Sequence, residues 1–409
     1  MNRITLKFSL SCLLLLVIGL SCSNNSETGT LTVTDLEKSL SEISSVQNEA
    51  QRKTEVDSLW ARLIKEDQIP FKQDTVAIFL FRGEAENVSW NGDFNSWSGD
   101  NSFDNKGTKV KGTNIWMLKT SFPSDARLDY KVTIDESWIL DPVNPHYQWS
   151  GFGPNSELRM PDWKPEPLLK RIPEAVKGSL TDNKLIKSSN LGYNVQYQVY
   201  TPVGYENLKD MPVIYILDGQ EYSDDKLGAS VIMLDNLIHL NKIKPIVAVF
   251  VDPRDPDDLD SNRRTEEFGT SPEYNDFFIK ELIPEIESNY KISTNRNKTA
   301  LLGTSLGGLN TTYLGFTNPD VFGKLAIQAP AFWYKEKEIY GLVRNTKEAD
   351  FNIYMSVGTI GDNINDAQRM KKEFDRLDLN YTYTEVNEGH SWGAWSAQMD
   401  DILIQFFKK

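Results

Sequence analysis

The stretch Leu301-Leu302-Gly303-Thr304-Ser305-Leu306-Gly307-Gly308-Leu309 decides how the rest of the sequence is interpreted. A short apolar run ends in the pattern G-x-S-x-G, and a segment with helical character follows it. A strand, a tight turn and a helix in this order are the setting of a nucleophile elbow, in which glycines relieve crowding and the serine points outward. The start of the helix adds backbone N–H groups beside any oxyanion that forms. The pattern predicts Ser305 as a nucleophile, although a glycine-rich turn alone needs no chemistry.

Two further residues supply the partners that such a serine needs. Around elbows of this type the chain order is serine, acid, histidine. The protein has three histidines, and only His390 follows Ser305. It comes just after the β-branched and aromatic run 381–386, so we expect a general base on a loop at a strand end. Asp362 follows a strand-like run and is the predicted acid that holds the imidazole tautomer, with Asp366 as the alternative.

Together with Gly389-His390-Ser391-Trp392, these residues resemble the esterase branch of the α/β hydrolases. That branch includes enterochelin (ferric siderophore) esterases, feruloyl and acetyl-xylan esterases and esterase D. The resemblance covers about residues 170–409 and includes Tyr215-Ile216-Leu217-Asp218-Gly219, similar to the family's Y-x-L-D-G loop. It also includes Arg264-Thr265-Glu266-Glu267-Phe268, similar to the family's R-x-x-E-[LF] element. The resemblance implies an α/β-hydrolase domain with a Ser305, Asp362 and His390 triad, without metal or cofactor.

The oxyanion site and the substrate pocket involve further candidates. A hydrolase of this type takes one N–H from the residue after the nucleophile, here Leu306, and one from an early strand–helix loop, where Gln220 follows the flexible Gly219. Asp218 is expected to shape that loop by accepting hydrogen bonds. The family resemblance implies that Arg264 and Glu267 lie at the pocket rim, although they could form a surface ion pair. Two aromatic residues are predicted either to wall the pocket or to be packing residues, namely Trp333 and Trp392.

The charge balance and the cysteines limit the classes of function. The chain has 44 basic and 58 acidic residues, a net charge of −14, which argues against a nucleic-acid partner. Its two cysteines, Cys12 and Cys22, both lie within the first 22 residues. The remainder of the sequence therefore contains no disulfide, thiol nucleophile or cysteine metal site.

Residues 1–22 have the layout of an export signal, with Arg3 and Lys7 before an apolar segment and Cys22 at its end. The segment resembles a bacterial lipoprotein signal, in which Cys22 becomes the lipidated N-terminus, and the predicted location is periplasmic or at the cell surface. Gly19 departs from the usual lipobox, so a simple secreted protein is the alternative. Residues 23–73 are predicted to form a polar tether and a helical lead-in that packs on the next domain.

Residues 74–162 change to short strand-like runs separated by Gly, Asn, Asp and Ser turns, which predicts a small all-β sandwich. The segment around Gly92-Asp93-Phe94-Asn95 resembles the early-set (E-set) immunoglobulin-like domain found ahead of glycogen-active enzymes and siderophore esterases. Trp90, Trp97 and Trp149 are either core residues, which is the favoured interpretation, or surfaces for stacking on sugars. A further hypothesis is that this domain roofs the active site.

Residues 163–409 are predicted to form the catalytic domain, after a proline-containing linker. Apolar runs of strand length alternate with helical stretches at 227–240 and 274–290, as a parallel sheet covered on both faces requires. The acidic segment 252–260 lacks the spacing and the glycine of an EF-hand, so a solvated loop is favoured over a cation site.

The sequence therefore predicts a serine carboxylic ester hydrolase that acts on an exported substrate. We favour a polysaccharide-linked feruloyl or acetyl ester, because the acidic chain shows no basic pocket for a triply anionic ferric siderophore. A siderophore trilactone esterase is the first alternative. A non-catalytic glycan-binding lipoprotein with a degenerate hydrolase domain is the second. The expected partners are a small-molecule or polysaccharide-linked ester, with membrane contact only through the lipid anchor, and the oligomeric state stays open.

Overall fold

The computed structural model describes residues 31–346 and 350–409. The predicted signal and the lipidation site Cys22 lie outside these residues. The described part opens with two helices, α1 (Val33–Ser45) and α2 (Glu49–Lys65). A capping box starts α1, because the Thr32 hydroxyl accepts the Asp35 N–H and the Asp35 carboxylate accepts the Thr32 N–H, each at 3.1 Å.

Two antiparallel sheets follow the helices. Their strands are β1 (Phe71–Gln73), β2 (Val76–Arg82), β3 (Val88–Gly92), β4 (Thr108–Lys109), β5 (Ile115–Ser121), β6 (Arg127–Ile134), β7 (Ser137–Ile139), β8 (Tyr147–Ser150) and β9 (Gly153–Arg159). One sheet has the order β1-β2-β5-β4, and the other has the order β3-β6-β9-β8 with β7 on β6. Side chains of both sheets meet in one buried cluster that includes Phe79, Trp90 and Leu128. We call this two-sheet unit the sandwich.

The sandwich has a second apolar layer on its outer side. Along β2, Ala77, Phe79 and Phe81 face the cluster between the sheets, whereas Ile78 and Leu80 face α1 and α2. Leu36 and Trp60 of these helices pack in that outer layer. Burial on both faces explains why β2 is a continuous apolar run instead of an alternating one.

The remaining chain forms a mixed sheet, nine-stranded in the described residues. Its order is β10-β12-β14-β13-β17-β18-β19-β20, with β11 on β12, and the strands from β14 to β20 are parallel. The strands of this sheet and of a small β15–β16 hairpin are β10 (Ser179–Leu180), β11 (Lys184–Lys187), β12 (Asn194–Thr201), β13 (Val213–Leu217), β14 (Val247–Asp252), β15 (Arg254–Asp255), β16 (Asp258–Asn262), β17 (Thr299–Thr304), β18 (Lys324–Gln328), β19 (Asn352–Gly358) and β20 (Asn380–Val386).

Helices cover both faces of this sheet. They are α3 (Gly219–Tyr222), α4 (Ser230–His239), α5 (Arg264–Phe268), α6 (Pro272–Phe277), α7 (Ile283–Asn289), α8 (Leu306–Thr317), α9 (Ile339–Asn345), α10 (Ile364–Arg376), α11 (Trp392–Ala397) and α12 (Met399–Phe407), and a π-helical turn, Phe278–Leu282, joins α6 to α7. Tyr215 faces one core and Ile216 the other, so β13 is buried on both sides. The α/β architecture predicted from the sequence is confirmed.

The carboxyl ends of the parallel strands bring the candidate residues to one edge of the sheet. Ser305 follows β17, Asp362 follows β19 and His390 follows β20. The sandwich reaches the same edge, since Arg127 of β6 forms a parallel bridge with Glu388. No helix of the described residues combines the length and the apolar character that crossing a membrane requires.

Candidate active site

Ser305 occupies a strained turn between β17 and α8. Its backbone angles are φ 57° and ψ −119°, in a region that residues with a Cβ seldom adopt. Two backbone hydrogen bonds to the segment 328–331 hold it there. The Ser305 N–H donates to the Gln328 carbonyl at 3.0 Å, and the Ser305 carbonyl accepts the Ala331 N–H at 2.9 Å. The turn is therefore fixed by the end of the adjacent strand β18.

The two glycines of the elbow differ in how much space surrounds them. A Cβ at Gly303 would lie 2.4 Å from the backbone carbonyl carbon of Gly307. This is a clash that the backbone cannot relieve by a small shift. A Cβ at Gly307 would meet nothing closer than the Asp218 carboxylate, at 3.1 Å. The close crossing of strand and helix thus depends on Gly303, and Gly307 is the more tolerant position.

His390 and Asp362 form a hydrogen-bonded pair. Nδ1 of His390 lies 2.7 Å from Oδ1 of Asp362, and the Asp362 side chain is completely buried. The carboxylate also accepts the N–H of Asn363 at 2.6 Å and of Gly358 at 2.8 Å. Because Nδ1 faces the carboxylate, Nε2 is the ring nitrogen left for proton transfer. The ring of Trp395 packs edge-on against the imidazole, with 4.8 Å between centroids.

A cavity of about 570 Å³ brings Ser305 and His390 together. The α/β sheet and its loops supply part of its wall, namely Asp218, Glu221, Asn262, Arg264, Thr304, Ser305, His390, Ser391, Trp392 and Trp395. The sandwich supplies the other part, namely Asp93, Trp97, Asp129, Lys131, Trp138, Ser150, Gly151, Phe152 and Asn155. The volume is typical of a small-molecule site. The sandwich therefore covers the sheet edge that carries Ser305.

The two predicted oxyanion donors lie at helix starts. Leu306 is the first residue of α8 and Gln220 the second of α3, so their amides have no acceptor within their own helices. A Cβ at Gly219 would lie 2.3 Å from the Phe250 backbone, so the loop before Gln220 is pressed against β14. Neither Gln220 nor Leu306 is among the residues that line the cavity, so their role as oxyanion donors stays a prediction.

Arg264 lines the cavity, and protein groups accept hydrogen bonds from two nitrogens of its guanidinium. Its Nε and Nη2 donate to the two carboxylate oxygens of Asp218 at 2.6 and 2.8 Å, and Nη2 also donates to the Thr304 carbonyl at 3.0 Å. This bidentate pair ties the loop after β13 to the strand before Ser305. Arg264 therefore supports the elbow through Nε and Nη2.

The structure separates Glu267 and Trp333 from the cavity. Glu267 is buried in the short helix α5, where it accepts the Tyr193 hydroxyl at 3.0 Å, and burial raises its pKa to about 8. Arg264 pairs with Asp218 and not with Glu267. Glu267 therefore lies neither at the predicted pocket rim nor in the alternative ion pair with Arg264. Trp333 is 51% exposed and lies outside the lining.

Trp392 does line the cavity, and its indole N–H donates to Oε2 of Glu221 at 2.6 Å. Sequence reasoning missed Glu221, whose burial raises its pKa, and Trp395. The signal for Trp395 was its position three residues after Trp392, which places both rings on one side of α11. Sequence reasoning also missed Asp93, Asp129 and Lys131, because nothing in their local sequence reveals that the sandwich reaches this edge.

The aromatic residues of the sandwich divide into core and cavity. Trp90 is fully buried between the sheets, as favoured from the sequence. Trp97 lines the cavity and stacks on Trp138, with centroids 6.2 Å apart and planes at 19°. Its indole N–H donates to Asp93 at 3.2 Å. Trp149 lies outside the lining, under the ammonium group of Lys226.

Comparisons with known proteins agree with this architecture. Residues 188–406, more than half of the chain, match the family described as "Putative esterase". An iron(III) enterobactin esterase of Escherichia coli is 23% identical over 336 residues, which cover 73% of this chain and 81% of that protein. An endo-1,4-beta-xylanase/feruloyl esterase of Xylanibacter ruminicola is 27% identical over 313 residues, 72% of this chain and 40% of that protein. The crystal structure of an enterobactin esterase from Shigella flexneri superposes with a TM-score of 0.67 at 20% identity, covering 82% of this chain and 94% of that one.

Proposed function

The chain belongs to the "Putative esterase" family and is an ester hydrolase, and we propose that Ser305 is its nucleophile, His390 its general base and Asp362 the acid that orients His390. The observation that carries this proposal is the His390–Asp362 hydrogen bond of 2.7 Å at a cavity that Ser305 also lines from a strained turn. The strain at Ser305 supports a functional role, because a residue with a Cβ holds such a conformation only when its surroundings enforce it.

The proposed reaction has two acyl-transfer steps. His390 takes the proton of the Ser305 hydroxyl through Nε2 while the oxygen attacks the ester carbonyl, and the resulting imidazolium then protonates the leaving alkoxide. Water attacks the acyl-enzyme in the second step, again with His390 as base, and releases the carboxylic acid and free Ser305. Asp362 stabilises the imidazolium in both steps. Only protein groups and water take part.

The backbone N–H groups of Leu306 and Gln220 are the proposed oxyanion donors. Both belong to first turns of helices at the edge of the sheet, where their amides lack helical acceptors. Loss of one such donor typically costs about 3 kcal/mol in the transition state. The Arg264–Asp218 pair supports this arrangement by fixing the loop that carries Gln220.

The charges around the cavity bear on the substrate. The carboxyl groups of Asp93, Asp129, Asp218 and Glu221 line it, but Asp218 is paired with Arg264 and Asp129 with Arg127, and burial raises the pKa of Asp93 and of Glu221. Lys131 is the lining cation outside these pairs, so the described lining offers no cluster of basic groups for a highly anionic ligand. Trp138 and Phe152, which are exposed, and Trp97, which stacks on Trp138, offer flat apolar surface at the same wall. We therefore favour a feruloyl or acetyl ester on a polysaccharide over a ferric siderophore.

A siderophore trilactone ester is the second candidate. Its support is the extent of the match, since the alignment with the Escherichia coli enterobactin esterase covers 336 residues and so includes part of the sandwich as well as the α/β domain.

We also propose that the sandwich is an E-set immunoglobulin-like domain and that the protein is exported, with Cys22 as the lipidation site. Export favours the polysaccharide ester, because hydrolysis of a ferric siderophore is expected in the cytoplasm.

Release of p-nitrophenol from a short acyl ester tests the function. We expect turnover by the wild-type protein, loss of turnover in Ser305→Ala with an unchanged circular dichroism spectrum, and normal turnover in Ser288→Ala, which removes an exposed helix serine. A panel of methyl ferulate, acetylated xylan and a linear catechol-serine ester then ranks the substrates. Preference for the catechol-serine ester would overturn the polysaccharide assignment. A folded wild-type protein that binds xylan without turnover would support the glycan-binding alternative.

A further inference from the structure

Arg127 of the sandwich is a fully buried cation at the contact with the α/β domain. Its side chain is 1% exposed, and its guanidinium donates to Glu157 at 2.6 Å, to Asp129 at 2.5 Å and to the Ser391 hydroxyl at 3.0 Å. A buried cation is tolerated only when carboxylates and hydrogen bonds replace its water. Two acids of the sandwich meet the charge, and the third contact extends to the residue directly after His390.

The backbone of Arg127 also contacts the loop that contains His390 and Ser391. Its N–H donates to the Asn387 carbonyl at 3.1 Å, and the Asn387 side-chain amide donates to Asp125 at 2.8 Å. The indole N–H of Trp163 donates to the Glu388 carboxylate at 3.2 Å. The segment 387–391, which we call the histidine loop, is thus attached to the sandwich at its start by backbone and at its end by the Arg127 side chain.

Three glycines show how closely the two units approach. A Cβ at Gly389, just before His390, would lie 2.1 Å from Cγ of Asp93, and a Cβ at Gly361, just before Asp362, would lie 1.9 Å from the Asp93 carbonyl oxygen. A Cβ at Gly393 would lie 2.1 Å from Cζ of Arg127. The loops that carry His390 and Asp362 therefore both have glycine where the sandwich presses against them.

We propose that Arg127 is a positioning residue, through which the docked sandwich sets the direction of the His390 ring toward Ser305. The proposal rests on the proposed function, in which His390 is the base. His390 lies between Gly389, which packs on Asp93, and Ser391, which binds Arg127, and its Nδ1 is held by Asp362. The sandwich is then part of the catalytic apparatus as well as a cover over the cavity.

The physical reason is the distance dependence of proton transfer. A general base must lie within hydrogen-bond reach of the proton that it takes, and a displacement of about 1 Å can lower the rate by about 10²-fold. A loop held at both ends from a separate layer is displaced when one attachment is lost. The change falls on the chemical step, while the cavity that binds a short ester keeps its lining.

Arg127→Lys is the appropriate variant, because it keeps one cation beside Asp129 and Glu157 but cannot reach both acids and Ser391. We expect kcat for a short p-nitrophenyl ester to fall by about 10²-fold with KM within about 2-fold of the wild type. Arg171→Lys is the matched control. Arg171 pairs with the buried Asp235 at 2.6 Å, and neither residue lines the cavity. We therefore expect Arg171→Lys to affect thermal stability and to leave kcat unchanged.

A second pair of variants covers the case in which Arg127→Lys does not fold. Gly393→Ala forces the Arg127 guanidinium to move while keeping its charge, and Gly341→Ala is its control, since a Cβ at Gly341 has nothing within 4 Å. We expect Gly393→Ala to lower kcat and Gly341→Ala to leave it unchanged. Folded Arg127→Lys and Gly393→Ala proteins that both keep wild-type kcat would overturn the proposal.

Proton NMR separates this proposal from the proposed function, because it needs no turnover. The hydrogen bond between His390 and Asp362 should give a downfield Nδ1 proton signal, assigned by its absence in His390→Gln. We expect the signal to shift or broaden in Arg127→Lys and to persist in Arg171→Lys. An unchanged signal in Arg127→Lys would contradict the proposal even if the wild-type protein is an active esterase. A changed signal in a protein without esterase activity would support the positioning and contradict the function.

Discussion

Nδ1 of His390 lies 2.7 Å from Oδ1 of Asp362, although 28 positions separate the two residues in the chain. Both follow adjacent parallel strands, β19 and β20, whose carboxyl ends lie side by side. The buried carboxylate accepts two backbone N–H groups as well, so its position does not depend on the histidine. This pair is the fixed part of the site, to which Ser305 is brought by β17.

The first prediction concerns the acid. Asp362→Asn should lower kcat by about 10⁴-fold, because an amide can donate to Nδ1 and so favours the wrong imidazole tautomer. One backbone N–H also loses its acceptor, so the melting temperature should fall modestly. Steady-state kinetics with a short aryl ester and thermal unfolding check both effects. A variant with more than a tenth of wild-type kcat would exclude Asp362 as the orienting acid.

The second prediction compares the two elbow glycines. Gly303→Ala should destabilise the protein by on the order of 3 kcal/mol, because the new methyl group meets the Gly307 backbone at 2.4 Å. Gly307→Ala should stay within about 1 kcal/mol of the wild type, since its nearest neighbour is at 3.1 Å and alanine favours the helix. Urea unfolding measures both. Equal effects would show that the crossing of β17 and α8 is looser than the structure indicates.

The third prediction tests the aromatic wall. Trp97→Ala should lower kcat/KM for methyl ferulate by about 2- to 10-fold, the worth of one ring contact of about 0.5–1.5 kcal/mol. It should leave turnover of a short acetyl ester near the wild-type value, because an acetyl group offers little flat apolar surface for stacking. Trp149→Ala is the control, since Trp149 lies outside the cavity lining. The same loss for both esters would point to a structural effect instead.

The fourth prediction concerns pH and stability. Burial raises the pKa of Glu267 from 4.5 to about 8, so between these values the folded protein holds a proton that the unfolded chain has released. The free energy of unfolding therefore falls as pH rises through this window. Glu267→Gln removes the titration and still accepts the Tyr193 hydroxyl, so its stability relative to the wild type should increase up to about pH 8 and then level off. Chemical unfolding over this range measures the difference, and a constant difference would contradict the assignment.

The three central residues could be predicted from the sequence because the features that mark them are local. Ser305 lies in a turn whose glycines are visible in the sequence, and His390 is the histidine that follows it. Asp366, the alternative acid, lies in α10, and its carboxylate accepts a hydrogen bond from the Lys337 ammonium group at 2.6 Å. The start of a helix and the end of a strand are short-range features, so sequence patterns report them well.

The rest depended on packing between distant segments. Arg127 meets Ser391 across 264 positions, and no local pattern of charge reveals a buried cation shared between two layers. The family element Arg264–Phe268 predicts Glu267 at the rim, yet α5 has five residues and turns this carboxyl into the interior. Trp97 reaches the cavity from a turn whose backbone has positive φ at three consecutive residues, 96–98, none of them glycine. The sequence does not mark that geometry.

Covalent trapping identifies the nucleophile directly. The protein is mixed with a fluorophosphonate ester, digested, and mapped by peptide mass spectrometry. We expect one modified residue, Ser305, with labelling lost in Ser305→Ala and slowed by orders of magnitude in His390→Ala, because the hydroxyl then lacks its base. Modification of another residue, or equal labelling of Ser305 without His390, would contradict the proposed roles of these two residues.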